Sequence, residues 1–597
     1  MIVPMKHLTL LCVASEGEQT LENLRDLGCL QLDFSTAASA AFVQAKEDVS
    51  DAERAVRILA KAAKEYAGVS GTGRFDAVAD GDLAAAVLAT DRERQTLLDE
   101  AEKLRQTIRV YAPFGDFDPA LAAALRTKGL SVILAKGRKG LRPDAAAGGY
   151  VQRLGTDARA DYFVCVNTDV PDGCEAVPLP AERLSVTRKR LSALGDRIAA
   201  AGGDLAAAHA RADAITRQTP ALKDKVDFAA ARDVLAAHGA VSALEGWIPV
   251  DAVAAVRAKA KDRGWGILVR DVADGENPPT LIRPPKLFRP VVAMFEGLGI
   301  APAYTEADVS VPFMCYFALF FAMLVGDGGY GAILLMFVLV GWYKTRPQKP
   351  GGRRPTLVAS WLALLTVFSA ATIIWGLLSN TWFGEGLPCA QNWPTVKWLA
   401  DPSYNNMMLL CFTIGVSHLM LARIWTGLCM LNDRTCLSQF GWAGILLFMY
   451  LVTNAIVGIF DGIPTWGYWM FGLSLVGVFG FTLKGSEFKT RGIELGMLPL
   501  NIMSALGDII SYVRLFAVGL ASVKVAQNFN MMATGLDWPL WQKFIPMVAI
   551  LLIGHGLNFA MAGLAILVHA VRLNTLEFSS HKGISWSGYA YAPFRRH

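Results

Sequence analysis

The sequence predicts a two-part, α-rich membrane protein. Residues 1–290 would form a cytoplasmic half of α/β lobes joined by a coiled-coil rod. Residues 291–597 would form a transmembrane half of eight helices, two of them long and tilted. Hydrophobic residues make up 53% of the 597 residues, and the mean hydropathy of +0.35 is too high for an ordinary soluble protein. Charge is also uneven: Lys+Arg and Asp+Glu number 39 each up to residue 290, but only 18 and 13 beyond it.

The first half begins with short strands and then changes to helical periodicity. Residues 6–12 and 28–33 alternate apolar and polar side chains, which is typical of strands. Apolar residues then recur at the spacing of a coiled-coil seam in three segments, 42–63, 87–111 and 184–215. Thr90 and Arg94 interrupt the second seam. We expect three long helices that pack on one another as a rod, with a globular helical core as the alternative.

Strand-like segments flank the third seam. LSVILA and YFVCVN lie within 113–180, and SALEGWIPV and WGILVRDV lie within 241–270, so the simplest arrangement has two small α/β lobes. The proline-rich segment 276–290 would be the linker into the membrane half. The sequence has no P-loop, HExxH or GxSxG motif in this half, so we expect a mechanical or adaptor role with no cofactor, no metal and no nucleic-acid partner.

The N-terminal segment and the cysteines indicate the compartment. The first residues lack the apolar core and cleavage site of a secretory signal, so the first half should stay in the cytoplasm. The nine cysteines show no CxxC or metal-ligand spacing, which favours reduced thiols. Both observations fit a multi-pass protein of a bacterial inner membrane.

The second half contains long apolar segments separated by loops of unequal charge. The segments are 310–343, 356–379, 404–422, 441–460, 464–483, 495–531 and 543–572. Basic residues crowd the loops 344–354, 423–434 and 484–491 and the C-terminus, which the positive-inside rule places in the cytoplasm. With the first half also cytoplasmic, 310–343 must cross twice as a hairpin that turns at Asp327, Gly328 and Gly329. Eight crossings follow.

The last two apolar segments are too long for simple crossings. As helices, 495–531 and 543–578 would each exceed about 50 Å at a rise of about 1.5 Å per residue. They must therefore tilt steeply or project into water.

Arg514 is the least expected residue of the membrane half. It lies among apolar residues, where a central arginine costs roughly 2.5 to 3.5 kcal/mol. Its helical face carries small or modest side chains, which would let another helix approach and present a carboxylate to it; these are Gly507, Ser511, Val518 and Ala521. The alternatives are a snorkelling side chain or an internal ion pair with Asp508, six residues away and off that face.

Arg572 is a second buried-looking arginine, close to the cytoplasmic end of the last segment. A positive-inside anchor is the alternative there. Polar residues line both long helices, from opposite surfaces toward the arginines, and this suggests two half-channels. The candidate half-channel residues are Asp508, Ser511, Lys524, Gln527, Asn528, Asn558 and His569.

A fixed arginine can act as a barrier in an ion path, because the guanidinium does not deprotonate at usable pH. A carboxylate that arrives with H⁺ or Na⁺ must release the ion to pair with Arg514, and it can then reload only from the other side. One charge that crosses the membrane is driven by about 2.3 kcal/mol per 100 mV. This sequence has no array of such carboxylates, so another subunit must carry them.

These residues resemble a known family. ALGDIISYVRLFAVGLAS (505–522) is similar to the segment around the essential arginine in the membrane subunit of V-type and A-type rotary ATPases, which is called subunit I in bacteria and archaea and subunit a in eukaryotes. GHGLNFAMAGLAILVHAVRLNTLEF (554–578) resembles the last helix of that family. FALFFAMLVGDGGYG (317–331) resembles its first hairpin, and LEGWIPV (244–250) resembles part of its cytoplasmic lobe. The resemblance extends over the whole chain.

The resemblance implies a stator that faces a rotating proteolipid ring. Ring carboxylates would pair with Arg514, Arg572 would be the second family arginine, and the subunit itself would not hydrolyse ATP. The rod would bind peripheral stalks and through them the ATP-hydrolysing head. Glu494 and Glu577 are further candidate channel residues, although surface or helix-end charges are equally compatible with them. The tail after Phe578 lacks the usual aromatic and acidic run.

Two other functions compete with this one. A secondary transporter with a cytoplasmic regulatory domain would show internal repeats with interrupted helices at matching places, and the sequence shows none. A membrane scaffold without a transport role would leave Arg514 unexplained. The ion, H⁺ or Na⁺, and the direction, ATP synthesis or hydrolysis, depend on the other subunits.

Overall fold

The computed structural model describes residues 1–33, 39–141, 149–157, 160–346, 356–401, 403–482, 496–535 and 539–596. The chain forms two compact units. One comprises Met1–Leu8, Trp247–Arg257 and Val269–Ala592, and the other comprises Thr9–Gly246, Ala258–Leu268 and Pro593–His597. The domain boundary at residue 290 stays a prediction.

Two sheets contain the described strands. The strands are β1 (Met5–Val13), β2 (Gln31–Leu32), β3 (Val132–Arg138), β4 (Tyr150–Thr156), β5 (Ala160–Val166), β6 (Cys174–Val177), β7 (Ala236–His238), β8 (Val241–Pro249) and β9 (Gly266–Asp271). One sheet has the order β2-β8-β1-β9, with β7 paired to β8, and the other has the order β4-β5-β3-β6. All the strand-like segments of the sequence are strands. β4, β6 and β7 are additional.

The second sheet is antiparallel and buries side chains on both faces. Leu134 of β3 pairs with Val164 of β5. Leu134 and Tyr162 pack with Phe114 on one face, and Phe163 and Cys165 form the core of the other. Burial on both faces explains why the sequence of β5 is a nearly continuous apolar run.

Long helices follow the predicted seams. The helices of the N-terminal part are Gly17–Leu27, Ala40–Glu65, Leu83–Tyr111, Pro119–Thr127, Leu184–Ala208, Ala212–Val234 and Val253–Arg263. The third seam differs from the prediction because a 3₁₀ turn, His209–Arg211, interrupts it. The Arg211 guanidinium holds this turn by donating to the carbonyl oxygens of Phe75 and Val78 at 2.7 and 2.8 Å.

The predicted seam residues are the ones that the helices bury. Leu59, Val87 and Leu205 are fully buried in one cluster, and Leu97 and Ile198 are buried in a second. Burial at a helical repeat therefore stabilises this part of the chain.

Arg94, one of the two polar residues that interrupt the second seam, has its interaction partners within the chain. Arg94 donates to the Asp91 carboxylate at 2.7 Å, and the two side chains are only 8% and 11% exposed. The Arg94 guanidinium also lies over the ring of Tyr66, 5.9 Å from its centroid. A buried charge is tolerated in the seam because its partner lies three residues earlier on the same helix.

The membrane part consists of apolar helices. The described helices are Val291–Leu298, Ser310–Val325, Gly328–Lys344, Thr356–Ser379, Pro394–Leu399, Asn405–Cys429, Cys436–Ile456, Thr465–Phe481, Leu498–Ile510, Val513–Thr534, Leu540–Ala565 and Ser579–Lys582. We call Leu498–Ile510 with Val513–Thr534 the broken helix. Trp541–Lys582 is helical throughout, and we call it the final helix.

Five described helices are long and apolar enough to cross a membrane, or six if the bent pair Ser310–Val325 and Gly328–Lys344 is one span. The broken and final helices, with 37 and 42 residues, are the two longest, and the two exceptional lengths are confirmed. Thr465–Phe481 has 17 residues. The count of eight crossings stays a prediction.

Candidate intramembrane charge site

Arg514 lies directly after the interruption in the broken helix. Around it the backbone tightens: the amide of Arg514 bonds the carbonyl of Ser511 at 3.4 Å, and the amide of Leu515 bonds that of Tyr512 at 3.0 Å, both three residues back. A 3₁₀-like step inside a helix is frequent at functional hinges. The Arg514 side chain is half-buried, and within the described parts of the chain its Nη1 is buried without a hydrogen-bond partner.

Arg572 lies where the final helix is wound wider than an α-helix. Ile566–Ala570 and Leu573–Phe578 are both π-helical. Arg572 Nε donates to Glu577 Oε1 at 3.2 Å, and Glu577 is 5% exposed whereas Arg572 is 55% exposed. Glu577 Oε2 is buried with no hydrogen-bond partner in the described structure. The arginine therefore orients a carboxylate that keeps one free oxygen.

The two arginines lie close to the same acidic and imidazole groups. Both interact electrostatically with Glu577 and with His569. His569 is half-buried, and its Nδ1 has no partner among the residues described. The structure thus brings Arg514, Arg572, His569 and Glu577 into one charged region.

Asp508 does not pair with Arg514. Its Oδ2 lies 3.0 Å from Nε2 of His581, near the end of the final helix. His581 Nδ1 in turn accepts from Nε of Arg423 at 3.1 Å. Arg514 has no ion pair among the described residues, so the structure offers no internal partner for its charge there.

A polar cavity of about 540 Å³ lies beside this contact, and we call it the Asp508 cavity. Its lining includes Arg423, Ser438, Gln439, Asn501, Ser504, Asp508 and His581. Broken-helix residues 498, 501, 504 and 508 line it at helical spacing. The cavity therefore approaches Arg514 from the N-terminal side of the broken helix.

A second cavity of about 370 Å³ lies beyond Arg514 on the same helix, and we call it the Lys524 cavity. Its lining includes Ser379, Thr381, Tyr404, Gly519, Val523, Lys524 and Gln527. Lys524 Nζ donates to Gln527 Oε1 at 3.2 Å, and Gln527 Nε2 donates to the carbonyl of Gly384 at 3.0 Å. The predicted pair Lys524 and Gln527 is thus brought together, whereas Asn528 is exposed.

Asn558 belongs to a buried hydrogen-bond chain. Its amide donates to the Tyr330 hydroxyl at 2.9 Å and to the carbonyl of Ser522 at 2.8 Å. The Tyr330 hydroxyl is 2.7 Å from His555 Nδ1, and His555 Nε2 is 3.0 Å from Asn530 Oδ1. The chain joins the final helix, the broken helix and Gly328–Lys344.

The predicted hairpin turn is a break between two helices whose axes differ by 118°. The first helix ends at Gly326, whose φ of +70° suits glycine, and Asp327 caps the second, which already contains Gly328 and Gly329. The fully buried Asp327 carboxylate accepts from the amides of Gly329, Phe383 and Gly384 at 2.7 to 2.9 Å. Asp327 therefore ties the break to the 382–385 loop.

Two predicted residues have other placements. The Ser511 hydroxyl donates to the carbonyl of Asp508 at 2.7 Å, so it bonds the backbone at the interruption. Glu494 lies outside the described residues.

Sequence reasoning missed several polar residues inside apolar segments. His418 is fully buried, with Nδ1 2.9 Å from the Tyr512 hydroxyl. Its ring stacks between Tyr316 and Phe578, at centroid distances of 4.1 and 4.5 Å. Arg423, His555 and His581 were also missed. An ionisable residue inside an apolar run is itself the signal that would have found His418 and His555.

The sequence is similar to several known proteins. No protein-family model matches the chain. It is 28% identical over 640 aligned residues to V-type ATP synthase subunit I 1 of Treponema pallidum (strain Nichols), covering 100% of both chains. It is 30% identical over 377 residues to V-type ATP synthase subunit I of Borreliella burgdorferi, covering 60% of each. It is 24% identical over 396 residues to A-type ATP synthase subunit I of Methanocaldococcus jannaschii, covering 59% of this chain and 54% of that one.

A solved structure of the cytoplasmic N-terminal domain of subunit I, a homolog of subunit a of V-ATPase, also matches. It covers 44% of this chain and 99% of its own, at 16% identity and a TM-score of 0.19.

The long apolar helices define the class of protein as a multi-helix membrane protein. Within that class, the chain is a homologue of subunit I of V-type and A-type ATP synthases. The resemblance found in the sequence is confirmed.

Proposed function

We propose that this chain is the stator membrane subunit of a V/A-type rotary ATPase, in which Arg514 separates two ion half-channels and faces the rotating proteolipid ring. One observation carries the proposal. Among the described residues Nη1 of Arg514 is buried without a hydrogen-bond partner, and Arg514 lies between two cavities, one lined by the N-terminal part of the broken helix and the other by its C-terminal part. The relatives' membership in ATP synthases supports the same function.

The distances along the helix suit two half-channels. Asp508 lies six residues before Arg514, about 9 Å, and Lys524 lies ten residues after it, about 15 Å, at about 1.5 Å per residue. An ion that entered either cavity would stop near Arg514, because the guanidinium remains charged and repels cations. Only a carboxylate that moves past Arg514 could then carry the ion from one cavity to the other.

The loops suggest which side each cavity faces. The lining of the Asp508 cavity includes Arg423, in the last two turns of Asn405–Cys429, and Thr435, which follows Arg434 in the loop after that helix. The Lys524 cavity is lined by residues next to a loop poor in basic residues, namely Ser379, Thr381, Leu399, Ala400 and Tyr404. The positive-inside rule therefore assigns the Asp508 cavity to the cytoplasm and the Lys524 cavity to the opposite side.

The surface near Arg514 leaves room for a ring helix. Gly507 and Ala521, on the arginine's face, are exposed in this chain. Small exposed residues let another helix approach closely. The ring carboxylate would then be the missing partner of Arg514. The coiled-coil helices of the cytoplasmic N-terminal part would bind the peripheral stalks and through them the ATP-hydrolysing head.

The two arginines differ in their ion-pair partners, so we assign them different roles. Arg572 is held by Glu577 within the chain, whereas Arg514 has no described ion-pair partner. Arg514 would pair with the ring carboxylate at each step, and Arg572 would orient Glu577 beside it.

ATP-driven ion uptake by vesicles that contain the whole complex tests this function. We expect Arg514→Ala to assemble and to abolish uptake, and Arg572→Ala to retain part of it. Arg434→Ala is the matched control, since Arg434 is an exposed arginine in a nearby loop. Uptake at the wild-type rate by Arg514→Ala, at matched assembly, would refute the proposed mechanism.

A further inference from the structure

A chain of three side chains connects Arg423, His581 and Asp508 across three helical segments. Arg423 Nε lies 3.1 Å from His581 Nδ1, and His581 Nε2 lies 3.0 Å from Asp508 Oδ2. The His581 side chain is 5% exposed. Both ring nitrogens are therefore used, and neither is left for water.

The chemistry of the two neighbours fixes the protonation of the imidazole. A guanidinium nitrogen can only donate, so His581 Nδ1 must be the acceptor. The proton of a neutral imidazole is then on Nε2, where it is donated to the Asp508 carboxylate. The contact thus requires a side chain that accepts on one side and donates on the other.

The other end of the chain is anchored by its own contacts. Arg423 Nη1 donates to Gln439 Oε1 at 3.2 Å, and its guanidinium lies 5.1 Å from the centroid of the Trp442 ring. Arg423 has no ion pair among the described residues, although it interacts electrostatically with Asp508. The hydrogen-bonded link between the two runs through the imidazole of His581. The next residue, Lys582, points elsewhere, with Nζ 3.2 Å from Thr426 Oγ1.

Asp508 is the member of this chain nearest the proposed ion path. Its side chain is 29% exposed, it lines the Asp508 cavity, and it interacts electrostatically with Glu577 beside the arginines. A flexible carboxylate at this place could turn toward the backbone or toward solvent. The direction in which it points depends on the imidazole that holds one of its oxygens.

We infer that His581 is a positioning residue for ion transfer. Arg423 holds the imidazole of His581, and the imidazole in turn holds the Asp508 carboxylate in the wall of the Asp508 cavity. This rests on the proposed function, since Asp508 matters only if that cavity carries ions. The role belongs to the neutral acceptor-and-donor character of the side chain at 581. It does not require His581 to carry a proton across the membrane.

The test uses ATP-driven uptake in vesicles with the whole complex, measured by a pH-sensitive dye in Na⁺-free medium and by ²²Na⁺ in sodium medium. His581→Gln keeps one acceptor and one donor, so we expect it to retain most of the uptake per ATP hydrolysed. His581→Leu has neither group, and we expect a loss of about tenfold or more, the usual effect of losing a hydrogen bond to a charged group.

A double variant separates positioning from general damage. Because His581 acts through Asp508, His581→Leu combined with Asp508→Asn should transport no worse than Asp508→Asn alone. His209→Leu, an exposed histidine of the N-terminal part, is the matched control. If His581→Leu does not assemble, His581→Met serves instead, since it offers no donor to the Asp508 carboxylate and should also lose uptake.

The outcomes are distinct for the two proposals. Wild-type uptake by His581→Leu or His581→Met would overturn the inference. Equal losses in His581→Gln and His581→Leu would also overturn it, and so would additive losses in the double variant. Arg514→Ala, measured in the same vesicles, monitors the proposed function. If Arg514→Ala transports normally, the proposed function itself fails, whereas failure of the histidine variants alone leaves it standing.

Discussion

Replacing Asp327 tests how the break between Ser310–Val325 and Gly328–Lys344 is held. The carboxylate is fully buried. Its Oδ1 accepts from the amides of Gly329 and Phe383 at 2.7 and 2.9 Å, and its Oδ2 accepts from Gly384 at 2.7 Å. In Asp327→Asn the remaining side-chain oxygen can still accept from the amides of Gly329 and Phe383. The new NH₂ group replaces Oδ2 and is a donor, so the hydrogen bond from the Gly384 amide is lost.

The magnitude follows from the lost bond. A hydrogen bond to a charged group contributes about 1.5 to 3 kcal/mol, which corresponds to a change of roughly 10- to 150-fold in a local opening equilibrium. The Gly384 carbonyl is also the acceptor for Gln527, so loosening the loop would release the end of the broken helix that lines the Lys524 cavity.

The assay is amide hydrogen exchange on the detergent-solubilised complex, followed in peptides that cover the 382–385 loop. We expect faster exchange there by that factor, with smaller changes elsewhere. Asp401→Asn is the matched control, because the Asp401 carboxylate accepts from the amide and the hydroxyl of Ser403 at an exposed site. Unchanged exchange of the loop in Asp327→Asn would refute the assigned contacts.

Three further predictions concern other contacts. Asp91→Ala removes the carboxylate 2.7 Å from the buried Arg94 guanidinium and leaves only Glu65, at 3.9 Å, as an ion-pair partner among the described residues. It should destabilise the coiled-coil helices by about 1.5 to 3 kcal/mol, measured by denaturant unfolding of the solubilised chain; full stability would contradict the pairing. Tyr330→Phe removes the hydroxyl between Asn558 and His555 and should lower the melting temperature of the complex, whereas an unchanged melt would argue against the chain. The Arg270 guanidinium lowers the pKa of Glu276 to about 2, so this contact should stabilise the loop above the ordinary pKa near 4.5 and be lost as the pH falls through about 2; an NMR titration midpoint near 4.5 would contradict it.

The sequence predicts the periodic parts of this structure well, because their burial depends on local spacing. The seam residues Leu59, Leu97 and Ile198 are buried where the heptads place them. β4, β6 and β7 escaped prediction for the same reason. β4 has no buried residue along its length, and β6 and β7 have only four and three residues, so none of them shows a clear alternation.

The candidate site was predictable only in part. Arg514 stands out because a charge in an apolar run is costly. The contacts of Asp508 could not be predicted in the same way, because His581 lies 73 residues away in the sequence and Arg423 lies 158 residues from His581. The tightening at Arg514 and the widening at Arg572 are responses to packing, and no local residue pattern encodes them.

The sidedness of the two cavities tests the central claim most directly. In a background without the nine native cysteines, Ser504→Cys would report on the Asp508 cavity and Val523→Cys on the Lys524 cavity. Leu431→Cys and Trp541→Cys, which are 62% and 75% exposed in or near loops of opposite predicted sidedness, calibrate each side. With a membrane-impermeant thiol reagent, we predict that Ser504→Cys reacts only from the cytoplasmic side and Val523→Cys only from the other. Labelling of both from one side would contradict the two half-channels.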